Sequence, residues 1–475
     1  MARLLPVTVL LCLAFTVDET LRAETPSYFR RDSGVALNDS QPLPHDFSSA
    51  NRLVWKQPLN SGHSTPCVCG NSIFLTTYDA GTKELATMAL NRRTGAIRWK
   101  RAAPAKKIER VHATGNPASC TPACDGQRVY SFFGSYGLLC YDLNGKLLWD
   151  KKMGPFQDEF GTASSPVLVD GKVILNEDHD IDSFVIAIDG KKGGTIWKTP
   201  RKDATRSYST PVVWEIDGKK QLIVAGALRL TAYDIKTGKE IWWVDGLSRI
   251  VDPTPTIAGG LLYIATWTPG GDTSQRIAME PFPQAVKTYD KNGDGKIAKT
   301  ELTPGPVLQR FFRIDLNQDQ TLDAAEWKRH ALVFAKAQNV AVAIRPGGKG
   351  DVTKTHVKWI QRRGLPTVPS SLVYRGVMYM IRDGGIVTAL NAANGKQLSQ
   401  GRADGPGNYY ASPVGGDGKV YLASVGGVVS VLKAGGKFEV IASHDFGARI
   451  LATPVIDDGK IFIRTEKALY CFGVK

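Results

Sequence analysis

A short cassette recurs eight times along this 475-residue chain: a small residue, usually Ser or Thr, followed by Pro, a turn glycine and a β-rich run. Successive Pro positions lie 41 to 56 residues apart, except for one interval of 116 residues, and Ser371 replaces Pro in the sixth copy. A period near 44 residues with several short strands per unit is typical of a β-propeller blade. We therefore predict an all-β, eight-bladed propeller over residues 51–475.

The fourth copy shows how one blade is built. Its β-rich runs cover residues 210–214, 221–225, 230–234 and 240–244. Asp-Gly and Thr-Gly pairs between such runs predict hairpin turns, because glycine tolerates the positive φ that tight turns need. A tryptophan recurs near the last strand of several repeats, and we expect it to dock that strand on the neighbouring blade. These residues are Trp99, Trp149, Trp197, Trp242 and Trp359.

The eighth copy supplies only three strands. The missing strand is predicted at the other end of the chain, where Leu53-Val54-Trp55-Lys56 matches Ile97-Arg98-Trp99-Lys100 in residue type. A propeller leaves no open sheet edge, so we predict that the N-terminal strand closes the last blade. Seven blades is the alternative if one irregular copy does not form a full sheet.

The first 23 residues are typical of a secretory signal. Arg3 provides the positive end, residues 4–17 form an apolar run, and Ala23 is a small residue at the expected cleavage site. The run is too short to span a bilayer, and no later apolar segment is long enough to do so either. We predict a signal peptide at 1–23, an N-terminal lead at 24–50, and an exported protein, periplasmic or extracellular, without a membrane span.

Charge and cysteine content narrow the class of protein. The net charge is +15, but the Lys and Arg residues are scattered at turns and form no stripe, so we predict no nucleic-acid partner. Six cysteines follow the predicted signal. They allow up to three disulfides or buried free thiols, and both alternatives stay open. Zinc is not expected because the chain has no Cys-x-x-Cys pair.

The turn sequence, the tryptophan register and the Ser/Thr-Pro start of each repeat resemble the PQQ-like β-propeller repeat. Quinoprotein dehydrogenases and the outer-membrane-assembly lipoprotein of the BamB type share this repeat. The segment from Leu53 to Pro66 also resembles a group of exported bacterial PQQ-like proteins. The resemblance implies the fold, and it leaves function open between a binding protein and a dehydrogenase.

The long interval in the fifth copy contains a second kind of motif. Residues 290–301 match the twelve-residue EF-hand loop, so we predict an EF-hand pair at 268–337, inserted in blade 5. The predicted ligands of the first loop are the side chains of Asp290, Asn292, Asp294 and Glu301 and the carbonyl of Lys296. Hard oxygen ligands in this number favour Ca²⁺.

A second loop begins 25 residues later. Its predicted ligands are Asp315, Asn317, Asp319 and Glu326 with the carbonyl of Thr321. Gln320 stands where the motif has glycine, so we expect a strained backbone and a weaker site. The alternative is a degenerate EF-hand that is retained for packing.

Two functions are compatible with the residues expected at the channel mouth. We predict a calcium-binding propeller that acts as a binding or scaffold protein at the cell envelope, with an unknown protein or envelope polymer as partner. The alternative is a PQQ-dependent quinoprotein dehydrogenase, in which Arg206 and Arg249 hold the quinone, Asn176 and Glu177 bind its metal, and Asp252 is the base. The adjacent Cys-Cys pair common in such dehydrogenases and a haem motif are both missing, so the sequence favours the non-enzymatic function.

Overall fold

The computed structural model describes residues 26–48, 52–272 and 279–474. Eight antiparallel sheets follow one another along this part of the chain, which confirms the eight-bladed β-propeller. The predicted signal peptide lies outside the described residues. Among the described residues, no helix has the length and apolar character that a membrane crossing requires.

The first four blades follow the repeat in order. Blade 1 contains β2 (Cys67–Cys69), β3 (Ser72–Asp79), β4 (Glu84–Asn91) and β5 (Ile97–Ala102). Blade 2 contains β6 (Ala123–Cys124), β7 (Arg128–Phe133), β8 (Gly137–Asp142) and β9 (Leu147–Lys152). Blade 3 contains β10 (Val167–Val169), β11 (Lys172–Glu177), β12 (Phe184–Asp189) and β13 (Thr195–Pro200). Blade 4 contains β14 (Val212–Ile216), β15 (Lys219–Gly226), β16 (Arg229–Asp234) and β17 (Glu240–Asp245).

The other four blades include the interrupted repeat and the N-terminal strand. Blade 5 contains β18 (Thr256–Ala258), β19 (Leu261–Thr266), β22 (Val340–Ile344) and β24 (Val357–Gln361). Blade 6 contains β25 (Leu372–Tyr374), β26 (Val377–Arg382), β27 (Ile386–Asn391) and β28 (Gln397–Arg402). Blade 7 contains β29 (Val414–Gly416), β30 (Lys419–Ala423), β31 (Val428–Lys433) and β32 (Val440–Asp445). Blade 8 contains β33 (Val455–Asp457), β34 (Lys460–Arg464), β35 (Ala468–Gly473) and β1 (Leu53–Pro58).

The hydrophobic core lies between the blades. β1 pairs antiparallel with β35, with Trp55 opposite Cys471. Trp55, Phe462 and Leu469 then pack against Ile73 and Leu90 of blade 1. The same kind of buried cluster joins each of the other neighbouring pairs of blades. Burial of apolar surface between sheets therefore holds the ring together.

The predicted tryptophan joints are confirmed at most interfaces. Trp99 Nε1 donates to the carbonyl of Leu143 in the next blade at 2.9 Å, and Trp197 Nε1 donates to that of Ile235 at 3.0 Å. Equivalent bonds are made by Trp55, Trp149 and Trp359. These five outer strands are thus fixed to the turn between the third and fourth strands of the neighbouring blade.

Blade 4 departs from this pattern. Trp242 Nε1 bonds Gln221 of its own blade at 2.8 Å. The connection between β22 and β24 reaches across instead and adds β23 (Gly350–Asp351) to blade 4 as a parallel fifth strand. This connection also carries the short helix α5 (Thr353–His356). The expected tryptophan joint is therefore replaced here by main-chain pairing.

The long insertion of blade 5 lies between β19 and β22 and has its own small core. It contains α1 (Phe282–Tyr289), β20 (Ile297–Ala298), a 3₁₀ turn (Lys299–Glu301), α2 (Pro306–Gln309), α3 (Phe311–Ile314), β21 (Thr321–Leu322) and α4 (Ala324–Lys336). β20 and β21 pair antiparallel, and Ile297, Leu322 and Trp327 are buried together. The insertion is thus a compact helical unit attached to the propeller.

One disulfide is present among the described cysteines. It joins Cys69 in β2 to Cys124 in β6, so it links the inner strands of blades 1 and 2. The other four cysteines that follow the predicted signal are buried free thiols: Cys67, Cys120, Cys140 and Cys471. Of the two alternatives left open by the sequence, disulfides and buried free thiols, the first applies to two of these six cysteines and the second to the other four.

Candidate functional site at the channel mouth

A ring of hydroxyl side chains surrounds the central channel. Each cassette places its Ser or Thr on the channel wall, and the backbone N–H of one such residue donates to the side-chain oxygen of its counterpart in the next blade. Six of these bonds are 2.9–3.0 Å long. The ring consists of Thr65, Thr121, Ser165, Thr210, Thr254, Ser370, Ser412 and Thr453. These hydroxyls accept hydrogen bonds from buried backbone N–H groups at the point where the chain enters the inner strand of each blade.

One end of the channel is covered by the segment that precedes β1. Arg30 is only 8% exposed; its guanidinium donates to the carbonyls of Pro413 at 3.1 Å and Ser371 at 2.8 Å. Ser27 exchanges two backbone bonds with Cys124 of blade 2, and Phe29 lines the channel cavity. Residues 26–48 of the predicted lead therefore form the floor of the channel.

The opposite end opens into a cavity of about 400 Å³. The loops that connect successive blades supply most of its charged and aromatic wall. No tryptophan lines it in the described part of the chain. The charged and aromatic lining residues are Phe29, His63, Glu159, Phe160, Tyr208, Arg249, Asp252, Arg313, Asp383 and Tyr410. Two of the predicted cofactor and catalytic residues, Arg249 and Asp252, therefore lie in the cavity wall.

Asp252 is a carboxyl group of this wall whose pKa is shifted far above its usual value. Burial, with a smaller contribution from the charge of Asp158, raises the pKa of Asp252 to about 7, and the nearby positive charge of Arg249 opposes that rise. A carboxyl with such a pKa exchanges a proton near neutral pH, which is a property of groups that act as general bases.

Asn176 and Glu177 lie at the end of β11, behind the cavity wall. Asn176 is fully buried and Glu177 is 1% exposed. His179 stands between two carboxylates, with Nε2 at 3.1 Å from Glu177 and Nδ1 at 3.7 Å from Asp158. Burial favours the neutral ring, but the two carboxylates outweigh it and raise the pKa of His179 to about 10. The two carboxylates therefore favour the protonated form of this buried ring, which stacks on Phe156.

The guanidinium of Arg206 also pairs with neighbouring carboxylates. Its Nε donates to Asp180 at 2.5 Å, and its Nη1 forms an ion pair with Glu159. The structure therefore does not bring the five residues predicted for a quinone site together in one cavity. Arg249 and Asp252 face the cavity, whereas Asn176, Glu177 and Arg206 belong to the buried polar layer behind it.

The two predicted calcium loops have the same local structure. In the first, Gly295 N–H donates to Asp290 at 2.9 Å, and Lys291 N–H donates to Glu301 at 2.9 Å. In the second, the corresponding donors are Gln320 N–H to Asp315 at 3.1 Å and Leu316 N–H to Glu326 at 2.9 Å.

The backbone follows the same pattern in both loops. φ is +82° at Gly295 and +66° at Gln320, so Gln320 accepts the left-handed conformation that was expected to strain this position. Among the described residues, no group of three or more His, Cys, Asp or Glu side chains is gathered as a metal centre.

The insertion contacts the channel mouth. Gln157 of the blade 2–3 connection donates to the carbonyl of Leu316 in the second loop, and Arg329 of α4 donates to that of Lys202 at 3.1 Å. Arg313 of α3 lines the cavity itself. The insertion therefore forms part of the cavity wall.

Sequence reasoning missed three parts of this site: the hydroxyl ring, the floor made by the lead, and Arg313. The ring could have been found, because a Ser or Thr occupies the same cassette position in every repeat. The lead carries no repeat signal. The position of Arg313 depends on how a helical unit packs on a β-propeller, which no local pattern encodes.

Comparisons with known proteins agree with this architecture. Residues 46–181, 181–281 and 383–472, more than half of the chain, match a family model described as "Outer membrane protein assembly factor BamB". A search of the curated proteins finds no match.

Several solved structures share the fold. BamB from Moraxella catarrhalis is 12% identical, with a TM-score of 0.55, over 89% of this chain and 99% of that one. The computationally designed Ika8 protein is 9% identical, with a TM-score of 0.52, over 89% and 100%. The C-terminal WD40 domain of Sif2 is 10% identical, with a TM-score of 0.50, over 89% and 98%. At these identities the likeness concerns the fold alone.

Proposed function

Because the chain belongs to the family described as outer membrane protein assembly factor BamB, we propose that it is an exported, calcium-binding β-propeller that acts as a binding or scaffold protein at the cell envelope. The partner is a protein or an envelope polymer. Export rests on the signal-like residues 1–23 and on a family whose description places it in outer-membrane assembly.

The observation that carries the binding role is the cavity at the channel mouth. It is about 400 Å³ in volume, within the usual range of ligand sites, and the lead closes it from below. Most of its walls come from the connections of a rigid ring. We therefore expect the site to be largely formed before a partner arrives, so that little ordering entropy is lost on binding.

The calcium proposal is supported by the fit of the insertion loops to the ion. Each loop places three short side chains with oxygen atoms at alternating positions and a glutamate at its end, as an EF-hand requires. Glu301 and Glu326 already bond the backbone of their own loops. When bound, Ca²⁺ would join each loop start to its terminal glutamate and so stiffen the insertion against the propeller.

A PQQ-dependent dehydrogenase is the second candidate, and Asp252 is the observation that favours it. A carboxyl with a pKa of about 7, in a cavity beside Arg249, suits proton abstraction from an alcohol. The fit is incomplete, however, because Asn176, Glu177 and Arg206 do not line that cavity. We therefore derive no step through the quinone.

Position-specific crosslinking tests the binding role. The mature chain carries a photoreactive amino acid either at Tyr410, in the cavity wall, or at Lys236, on an exposed outer turn. We expect a discrete adduct from cell-envelope fractions at Tyr410 alone. Identical adducts at both positions, or none at either, would contradict a binding site at the mouth.

Calorimetric titration separates the other two proposals. Ca²⁺ should bind the metal-stripped chain, and the variant with Asp290→Ala and Glu301→Ala should lose the first site, whereas the exposed control Glu439→Ala should not. Titration with PQQ, with and without Ca²⁺, tests the dehydrogenase. Micromolar binding of PQQ would favour that function, and no heat from PQQ would exclude it.

A further inference from the structure

Several guanidinium groups meet where the insertion packs on the channel mouth. Arg249 comes from the connection between blades 4 and 5, Arg313 from α3, and Arg310 from the residue just before α3. Arg249 and Arg313 line both the large cavity and a small cavity of about 30 Å³ in the seam. We call these three arginines, with His330 of α4, the seam cluster.

Among the described residues, no carboxylate forms an ion pair with the cluster, although Glu159 and Glu326 line the large and the small cavity. Within the described residues, Arg249 donates to one acceptor, the carbonyl of Pro269, at 3.0 Å. Arg310 stacks on Phe334, and its buried Nη1 has no hydrogen-bond partner in the described ranges. No ion pair within 4.0 Å joins any of the three arginines to Asp or Glu in residues 26–48, 52–272 or 279–474. By contrast, nearby Arg206 and Arg201 each hold carboxylates directly.

His330 points to a ligand independently. It is 7% exposed, lines the small cavity, and its Nε2 has no hydrogen-bond partner among the described residues. Burial and the three arginine charges keep its ring neutral and lower its pKa to about 3. A neutral ring still offers one N–H, and a buried polar atom of this kind calls for a bound water, ion or ligand.

We propose that the seam cluster is an anion site, in which Arg249 and Arg313 hold an oxyanion group of a ligand whose body occupies the channel cavity. The inference rests on the proposed binding role of the mouth. Two guanidinium forks and an imidazole N–H supply the directed donors that phosphate or carboxylate oxygens accept. Because the two arginines come from different units, the anion would also join the insertion to the propeller.

The site predicts the ligand class. A phosphate monoester carries up to two negative charges and three acceptor oxygens. It therefore suits the pair of arginines that line the cavity, Arg249 and Arg313, better than a single carboxylate does. The rest of the cavity offers hydroxyls, aromatic rings and the carboxyls of Glu159, Asp252 and Asp383. This lining suits a polyhydroxylated body, so we infer a phosphorylated or acidic polyol or saccharide.

Phosphate binding by the purified mature chain tests the anion site. Inorganic phosphate and acetate are titrated separately by calorimetry at fixed ionic strength. We expect phosphate to bind more tightly than acetate, and Arg313→Gln or Arg249→Gln to weaken phosphate binding about tenfold or more. Arg363→Gln removes an equal charge from an exposed position outside the seam and should leave the affinity unchanged.

Additional variants keep the test decisive. Arg249→Lys and Arg313→Lys retain the charge but lose the planar fork, so they should bind phosphate with intermediate affinity. If Arg313→Gln and Arg363→Gln weaken binding equally, the attraction is general and the seam site is wrong.

The anion site and the proposed function can fail separately. Absence of phosphate binding in the folded wild-type chain, with the Tyr410 adduct still formed, would overturn the anion site alone. Phosphate binding without any adduct would contradict the scaffold role alone.

Discussion

The turn glycines show how closely single residues fit at the joints between blades. Gly238 has φ +68°, and a Cβ placed there would lie 2.5 Å from Cε3 of Trp197 in the neighbouring blade. Gly218 has φ +72° and nothing within 4 Å of such a Cβ. Both glycines permit the turn conformation, but only Gly238 also makes room for the docking tryptophan.

We expect Gly238→Ala to destabilise the propeller more than Gly218→Ala. Each change costs about 1–2 kcal/mol for the left-handed backbone, and the first adds about 1–3 kcal/mol of overpacking against Trp197. Urea unfolding followed by tryptophan fluorescence measures the difference. Equal losses would show that the tryptophan moves aside freely.

Asp252 should make stability depend on pH. Because its folded-state pKa is raised from 3.8 to about 7, the unfolded chain releases this proton first as pH rises, and stability falls between about pH 4 and 7. Asp252→Asn removes this pH-dependent loss, so the variant should be more stable than the wild type at pH 8. We expect a difference of about 1–2 kcal/mol, which is less than the full pKa shift would give, because water reaches part of the side chain.

The Asp252 comparison contains its own control. At pH 3.5 the carboxyl is mostly protonated in both states, so most of the stability difference between variant and wild type should disappear in thermal unfolding. A difference of equal size at both pH values would mean that Asp252 does not retain its proton in the fold.

At the scale of elements, the backbone of the second predicted calcium loop is strained at positions where a glycine would relieve the strain. Gln320 has φ +66° and Gln318 has φ +60°, and the corresponding residues of the first loop are glycines. Gln320→Gly should stabilise the calcium-free insertion by about 1 kcal/mol, because glycine adopts this conformation without steric cost. The measurement is the thermal midpoint in a chelator, with the exposed Lys328→Gly in α4 as a control that should destabilise.

The elements predicted from the sequence are those that repeat. The strands of blade 4 and the turns at Gly218 and Gly238 follow from alternation and turn chemistry, which are local. β23 could not be predicted, because two residues gain strand geometry only by pairing with β17 of another blade. The contacts of Arg206 could not be predicted either. Its sequence position suggested that it would hold the quinone, but in the fold its guanidinium pairs with the carboxylates of Glu159 and Asp180.

At the scale of the whole molecule, the residues predicted for a quinone site lie in two layers, the cavity wall and the buried polar layer behind it. Arg249 and Asp252, which were expected at the mouth from their position along the repeat, line the cavity. That position could not tell a side chain that faces the channel from one that turns into the blade interface, as Glu177 does, since that depends on the twist of neighbouring sheets. The lead and the insertion complete the cavity from outside the repeat.

The pairing of β1 with β35 makes a prediction about the whole ring. The backbone N–H of Gly473 donates to the carbonyl of Arg52 at 2.9 Å, so the two ends of the propeller segment lie side by side. A circular permutant that joins residue 474 to residue 52 by a short linker, with new termini in the turn between Asp217 and Gly218, should fold, because it preserves every blade. We expect its thermal midpoint to stay within several degrees of that of the uncut chain that begins at residue 52, which lacks the same lead.

The matched variant begins at Leu59 and lacks β1. It leaves the edge of β35 unpaired and exposes the apolar cluster of Phe462 and Leu469, so it should aggregate or unfold, losing at least the roughly 3–5 kcal/mol that burial of Trp55 alone contributes. Light scattering and near-ultraviolet circular dichroism distinguish the two variants. If the truncated chain were as stable as the permutant, the N-terminal strand would be dispensable and the ring would be closed by other contacts.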